Sequence, residues 1–166
     1  MILAFDLATV TGVAIGRPCE APVAWSFRLT GDHAARFGEL LRVANRLIKE
    51  RQPEHVVIEA PFVGPHPKAA QLLFGLRGVV MGMAVLHKIP VREVQVKDIR
   101  KHFLGHGGGK RANAKALVME RCRRLGWPVR SEDEADALAL WDFAASKISE
   151  RHSQMTMEIG NGARMQ

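Results

Sequence analysis

The chain has 166 residues, of which 47% are hydrophobic, and this length suits one well-buried domain better than two. Its formal net charge of +7 is unevenly spread, because residues 88–130 hold twelve Lys or Arg against three acidic residues, which indicates a polyanion partner. We expect no membrane span, because no run of about 18 apolar residues lacks a charge. We also expect a cytoplasmic protein. The N-terminus lacks the basic segment that begins a signal peptide, and the two cysteines form no CxxC or Cys/His metal pattern.

The first third of the chain predicts a meander of three strands, a helix and a buried strand. Apolar or alternating runs separated by turn residues are typical of consecutive antiparallel strands, and they occur at residues 2–7, 12–17 and 23–29. Asp32 is suited to cap a helix whose apolar residues recur at helical spacing up to Pro53. Residues 55–60 form a compact β-branched run that is typical of a buried, parallel strand.

The rest of the chain predicts several helices around one further strand. After a Pro/Gly loop, residues 68–87 form a helical stretch that is apolar nearly all round, as in helices buried in a core or in a partner. A strand is predicted at residues 91–96, and helices at 97–104, 113–125 and 132–149. We therefore expect one α/β domain over residues 1–149, a mixed sheet covered by helices, and a polar tail at 150–166 that is poorly ordered unless it docks.

Four acidic residues lie in three separated segments, where a pair of metal ions would need ligands. Asp6 and Glu59 interrupt apolar strands, in which an unpaired carboxylate is costly. Asp133 and Asp136 are three residues apart on a predicted helix and share one face. Each acid alone is more simply a turn, strand-end or helix-start residue. Together they predict a site for two Mg²⁺ ions, bridged by Asp6, that hydrolyses a phosphodiester.

These segments carry a family resemblance. FDLATVTGVAIG, VVIEAPF, QVK, AKALVMERC and DEADALAL, in this order over residues 1–146, resemble the RuvC family of Holliday-junction resolvases, which has a ribonuclease H-like fold. The resemblance implies an endonuclease that acts on branched DNA with Mg²⁺, for which Mn²⁺ substitutes, and that leaves a 5′-phosphate and a 3′-hydroxyl. It also implies that the four acids are the catalytic metal ligands.

Several basic and aromatic residues are candidate DNA contacts. By resemblance, Lys97 and Lys115 match basic positions that act near the scissile phosphate, and Phe62 matches an aromatic that contacts bases at the branch point. Phe62 lies in a Pro/Gly loop, where an exposed ring suits base stacking, although it could also cover the edge of the core. Lys110 and Arg111 follow a run of glycines whose backbone could approach DNA closely. This run is not a P-loop, because no Ser or Thr follows the lysine.

The chain departs from the family pattern in two places. Asp6 is followed by Leu7-Ala8 where the family usually has Pro-Gly, and the segment GHGGGKR is more glycine-rich and basic than is typical. A phage- or prophage-type member with relaxed substrate choice would fit this divergence.

Three other functions are compatible with the sequence. A YqgF-type nuclease with the same fold would act on structured RNA or on DNA ends. A non-catalytic nucleic-acid-binding module would gain nothing from acids that repel phosphate. Half of an actin-like ATPase, which FDLATVTG also resembles, would need a second lobe for which 166 residues leave no room.

A homodimer is expected on grounds of symmetry. A four-way junction has approximate two-fold symmetry, and its resolution needs two paired nicks, which a symmetric dimer provides with one self-complementary surface. The apolar helix Lys68–His87, with its glycines, is the predicted interface. The alternative is that this helix is fully buried within a monomer.

Overall fold

Five strands form one mixed sheet with helices on both faces in the computed structural model, which describes residues 1–61, 67–105 and 111–162. The strands are β1 (Ile2–Asp6), β2 (Val10–Gly16), β3 (Val23–Arg28), β4 (His55–Glu59) and β5 (Val91–Val94). The helices are α1 (His33–Arg51), α2 (Pro67–Leu86), α3 (Val96–Leu104), α4 (Arg111–Arg124), α5 (Glu132–Ile148) and α6 (Glu150–Gly162).

The order of strands in the sheet is β3-β2-β1-β4-β5. The first three strands pair antiparallel, and β4 and β5 continue the sheet parallel to β1. The predicted meander with added parallel strands is therefore confirmed.

The two faces of the sheet build two separate core layers. Leu3 and Phe5 of β1 pack with α1 and α2, whereas Ile2 and Ala4 pack with α3, α4 and α5. This division follows from the alternation of side chains along a strand. The apolar strands predicted from sequence are thus buried on both sides, as parallel strands between helix layers usually are.

Side-chain caps set the first residues of two helices. Oδ1 of Asp32 accepts a hydrogen bond from the backbone N–H of Ala35 at 2.8 Å and so begins α1, as predicted. Oγ of Ser131 accepts from the backbone N–H of Glu134 at 3.2 Å and begins α5, and the Glu134 carboxylate accepts from the N–H of Arg130 at 2.7 Å. The second arrangement is a variant of the capping box.

Helix α2 is buried on one face only. Its inward residues pack on the sheet and on α1, and they are Leu72, Leu76, Val80, Met83 and Ala84. Phe74, Val85 and Leu86 are exposed. By length and composition, residues 69–86 would suffice to cross a membrane. Arg77, which pairs with Glu93 of β5, and the packing of the inward face favour the expectation of no membrane span.

The C-terminal segment is ordered because most of it docks on the fold. Residues 150–162 form α6, which packs against α5 through His152 and Thr156, both fully buried. The polar character of this helix concealed its docking, because its buried residues are polar side chains with hydrogen-bond partners rather than apolar ones.

Candidate active site

Asp6 and Glu59 end two neighbouring parallel strands. The register between β1 and β4 brings these two last residues side by side. Because side chains alternate along a strand, both face the same side as Ala4 and Val57, which is the side covered by α5. Two carboxylates therefore lie at the carboxyl ends of the strands, the edge at which open α/β sheets bind their ligands.

The first two turns of α5 bring Asp133 and Asp136 to the same edge. Gly12 of β2, which pairs with Asp6 across the sheet, makes this approach possible. A Cβ atom at Gly12 would lie 2.0 Å from the carbonyl oxygen of Asp133 and 3.2 Å from Cβ of Ala137. The missing side chain at Gly12 thus determines how closely the two helical acids approach the strand acids.

A pocket of about 630 Å³ is lined by all four acids. Cationic side chains from three helices share its wall, namely Lys115 of α4, Arg100 of α3 and Arg77 of α2. Much of the remaining wall is apolar and includes Leu73, Val96, Ile99, Phe103 and Val118. Such a pocket can hold a phosphodiester between carboxylates and cations while its apolar wall limits the access of water.

The acids affect one another electrostatically. Burial raises the pKa of Asp6 well above its ordinary value, the other three carboxylates of the pocket raise it further, and Lys115 opposes the rise. Burial also raises the pKa of Asp136, and Lys115 and Arg100 limit that rise. Carboxylates in this situation ionise together only when additional positive charge lies among them.

The donor set of the pocket fits a divalent cation, although the side chains are not yet closed around one. In the part of the chain that the structure describes, no three His, Cys, Asp or Glu side chains are arranged to hold a metal ion as they stand. Oxygen donors from four carboxylates suit a hard divalent cation. Binding would need the side chains to move toward one another.

Lys115 is held beside the acids by an ion pair. Its Nζ donates a hydrogen bond to Oε2 of Glu132 at 2.7 Å. This hydrogen bond raises the pKa of Lys115, and the charges of Asp136 and Asp133 add to the effect, whereas burial opposes it. Lys115 is therefore a firmly charged ammonium group, suited to contact a phosphate oxygen.

The other predicted contacts are placed differently or lie outside the described residues. Lys97 is exposed near the start of α3, and the helix contributes Arg100, one turn later, to the pocket. Phe62 and Lys110 lie outside the described residues. Arg111 begins α4, but its side chain is not among those described.

Sequence reasoning missed two cations of the pocket, Arg77 and Arg100. A signal existed for Arg77, since it is the only charged residue in the apolar stretch 69–86. Arg100 is one of many basic residues in its region. Only its helical phase, shared with the buried residues Ile99 and Phe103, distinguishes it from Lys97.

The sequence of the chain is similar to those of known proteins. A family profile described as crossover junction endodeoxyribonuclease RuvC matches residues 26–141. A protein of that name from Nitrosomonas eutropha is 38% identical over 104 residues, which cover 63% of this chain but only 57% of the relative. Its namesake from Chlorobium phaeovibrioides is 29% identical over 164 residues, which cover 95% of this chain and 86% of the relative.

A solved structure shares the fold. Thermus thermophilus RuvC in complex with a Holliday junction substrate aligns with a TM-score of 0.69 at 16% identity. The alignment covers 89% of this chain and 94% of the other. At this level of identity the likeness establishes the ribonuclease H-like architecture, five strands flanked by helices.

Proposed function

The chain belongs to the RuvC family of crossover junction endodeoxyribonucleases, and we propose that it resolves Holliday junctions by phosphodiester hydrolysis that leaves 5′-phosphate and 3′-hydroxyl ends. The observation that carries this proposal is the meeting of four carboxylates, from β1, β4 and α5, in one pocket beside Lys115 and Arg100. A pure DNA-binding module would be weakened by acids that repel phosphate. A catalytic site, in contrast, needs such acids to hold metal ions.

The family is metal-dependent, and we propose that Asp6, Glu59, Asp133 and Asp136 hold two Mg²⁺ ions, for which Mn²⁺ substitutes. When bound, such a pair supplies an activated water and neutralises the charge that builds up on the phosphate. Asp6 is the proposed bridging ligand. Its central position supports this role, because each of the other three carboxylates affects its pKa.

The remaining residues of the pocket orient the substrate. Lys115 and Arg100 are proposed to bind non-bridging oxygens of the scissile phosphate, since both already interact electrostatically with Asp136. The apolar wall around Leu73 and Phe103 would exclude bulk water from the reacting phosphate. Phe62, Lys97, Lys110 and Arg111 are proposed DNA contacts on the strength of the family resemblance.

We also propose that the working form is a cytoplasmic homodimer. The exposed apolar residues of α2 supply a surface for the partner, and the two-fold symmetry of a junction supplies the reason. Residues 1–149 would form the nuclease domain, and α6 would stabilise it by packing against α5.

Cleavage assays on a panel of substrates test the proposed activity. Labelled four-way, Y-shaped, duplex and single-stranded DNA and a structured RNA would be incubated with Mg²⁺, with Mn²⁺ or with EDTA. We expect cleavage of the four-way junction in both metals and none in EDTA. Preferred cleavage of structured RNA or of DNA ends would favour a YqgF-type nuclease instead.

A substitution of Asp6 tests the assignment of the acids. Asp6→Asn should lower junction cleavage by roughly a thousandfold or more, because several kcal/mol of transition-state stabilisation are lost. Junction binding should persist, since one negative charge facing the phosphate is removed. Asp32→Asn is the matched control, because Asn caps α1 as well as Asp does. Cleavage by Asp6→Asn at the wild-type rate would show that the four-acid site is not the catalytic centre.

A further inference from the structure

A second cleft lies on the opposite side of α3 from the carboxylate pocket. Its volume is about 600 Å³, and α3, α4, α5 and α6 all contribute to its walls. Asp98, Lys101, His102 and Gly105 of α3 line it, with the spacing of one helical face. Ile99, Arg100 and Phe103 on the other face line the carboxylate pocket. Helix α3 is thus a partition between two clefts.

Three cationic side chains from three different helices surround this second cleft. They are Lys101 of α3, Arg121 of α4 and Lys147 of α5, and Asp98 is the only acid beside them among the described lining residues. Neither Lys101 nor Lys147 forms an ion pair with any acid in the described part of the chain. Among the described residues, the charges of Lys101 and Lys147 in this cleft are therefore not neutralised by an ion pair.

Aromatic rings and the backbone hold part of this charge in place. Nζ of Lys147 lies 5.2 Å from the ring centre of Phe143, and the guanidinium of Arg121 lies 5.2 Å from that of Phe103. Nη2 of Arg121 also donates to the carbonyl oxygen of Thr156 at 3.2 Å. Two of the three cations are thus pre-positioned, which lowers the entropy that an incoming anion must offset.

We propose that this cleft binds a backbone phosphate on an arm of the DNA whose scissile phosphate occupies the carboxylate pocket. The proposal rests on the nuclease function above and extends its footprint to the far side of α3. An α-helix is about 10–12 Å across, so a phosphate on the far side of α3 would lie within a few nucleotides of the cleaved bond.

A DNA backbone suits the cleft better than a small phosphate compound. Leu104 and Gly105, at the C-terminal end of α3, line the cleft, and this end of a helix carries partial negative charge. A small anion seated deep in the cleft would be repelled by it. A backbone phosphate approaching from outside would meet the exposed ammonium groups of Lys101 and Lys147 at the rim instead.

The salt dependence of junction binding tests this proposal. Binding of a four-way junction would be measured in EDTA over a range of salt for wild type and for the double variant K101A/K147A. We expect the slope of log affinity against log salt to fall by about one, because the cleft is proposed to hold one phosphate and each phosphate contact contributes about 0.9. The matched control is R46A/K49A, which removes two exposed cations from α1 on the other face of the sheet. Equal slopes for the two double variants would overturn the proposal.

Neutralised phosphates locate the contact. A methylphosphonate placed two to four nucleotides from the cleavage point should weaken binding of the wild type but not weaken binding of K101A/K147A further. Additive losses would overturn the assigned position. Inorganic phosphate tests for a small-anion site instead. The contrary result would be that phosphate stabilises the wild type against unfolding but not K101A/K147A, while the salt slope of junction binding stays the same in both proteins. That result would identify a small-anion site and refute the DNA contact.

The same measurements separate this proposal from the nuclease function. If the wild type binds junctions with the expected slope but cleaves none of them in Mg²⁺, the proposed activity fails and the phosphate contact stands. If cleavage occurs and the slopes of both double variants agree, the activity stands and the phosphate contact fails.

Discussion

Asp142 is a buried carboxylate whose two oxygens accept hydrogen bonds from two imidazoles. Nε2 of His102 donates to it at 2.8 Å and Nε2 of His152 at 2.9 Å. The backbone N–H of Cys19 donates to Nδ1 of His152 at 3.0 Å, so that imidazole carries its proton on Nε2. Burial would raise the pKa of Asp142, but the two hydrogen bonds outweigh it and hold this pKa below its ordinary value.

We expect Asp142→Asn to destabilise the fold by about 1–3 kcal/mol at neutral pH, because an amide offers one acceptor oxygen where the carboxylate offers two. Because folding lowers the pKa of Asp142, its stabilisation is present above the ordinary pKa of about 4 and is lost as the pH falls through the lower folded value. Urea denaturation of both proteins should therefore show a stability difference that shrinks below about pH 4.

The exposed acid Asp32 provides a control for this prediction, because Asp32→Asn preserves the cap of α1 and removes one carboxylate from the surface. A stability difference between wild type and Asp142→Asn that stays constant down to the acid transition would mean that the ionised carboxylate is not its source.

Asp142 also shows what sequence reasoning can and cannot distinguish for single residues. Like Asp6 and Glu59, it interrupts an apolar run, LALWDFAA. The cost of burying a carboxylate predicts that each of these acids has a compensating partner. One partner, His102, lies 40 residues before it, and the other, His152, lies on the next helix. Only the tertiary structure reveals that these two imidazoles satisfy Asp142.

Among the elements, α5 connects the fold to the site most directly. Its first two turns carry two acids of the pocket, and the same helix carries Asp142 and Trp141 into the core. Gly12 fixes the distance between this helix and the sheet, because the backbone of Asp133 occupies the space where a Cβ would lie. Small displacements of α5 would therefore reach the site directly.

We expect Gly12→Ala to push the first turn of α5 away from β2. The misplaced acids should lower the single-turnover cleavage rate by about a hundredfold, as displacements near 1 Å do, and overpacking should cost about 1–3 kcal/mol of stability. Gly38→Ala in α1 is the control, since its new Cβ would meet only the end of the Arg42 side chain, 3.8 Å away. Unchanged cleavage by a folded Gly12→Ala protein would show that the position of α5 does not determine the cleavage rate.

Local patterns were sufficient to predict most elements of the fold. The meander, the cap at Asp32 and the buried strand β4 follow from alternation, turn residues and β-branched composition. Helix α6 did not follow, because what docks it is a hydrogen bond from His152 to Asp142 and the burial of Thr156. Hydrophobic periodicity carries no trace of such contacts.

At the scale of the whole molecule, the outer face of α2 presents exposed apolar side chains. Phe74, Val85 and Leu86 are exposed on a helix about 30 Å long, and an added Cβ at Gly78 or Gly82 would meet nothing within 4 Å. Two such helices could approach closely along their glycines. A stable interface buries about 1,200–2,000 Å² in total, which requires flanking surface as well as the helix itself.

We expect the wild type to be a dimer and Val85→Glu to be monomeric, because a buried, unpaired carboxylate at a two-fold interface is costly and occurs twice. Val23→Glu is the matched control, since Val23 on the edge strand β3 is 64% exposed and Val85 is 68% exposed. Sedimentation of each protein, alone and bound to a junction, would measure its oligomeric state. The Val85→Glu monomer should still nick one strand of a junction but should no longer make the two paired nicks. A wild-type monomer on the junction, or dissociation caused by Val23→Glu alone, would reject α2 as the interface.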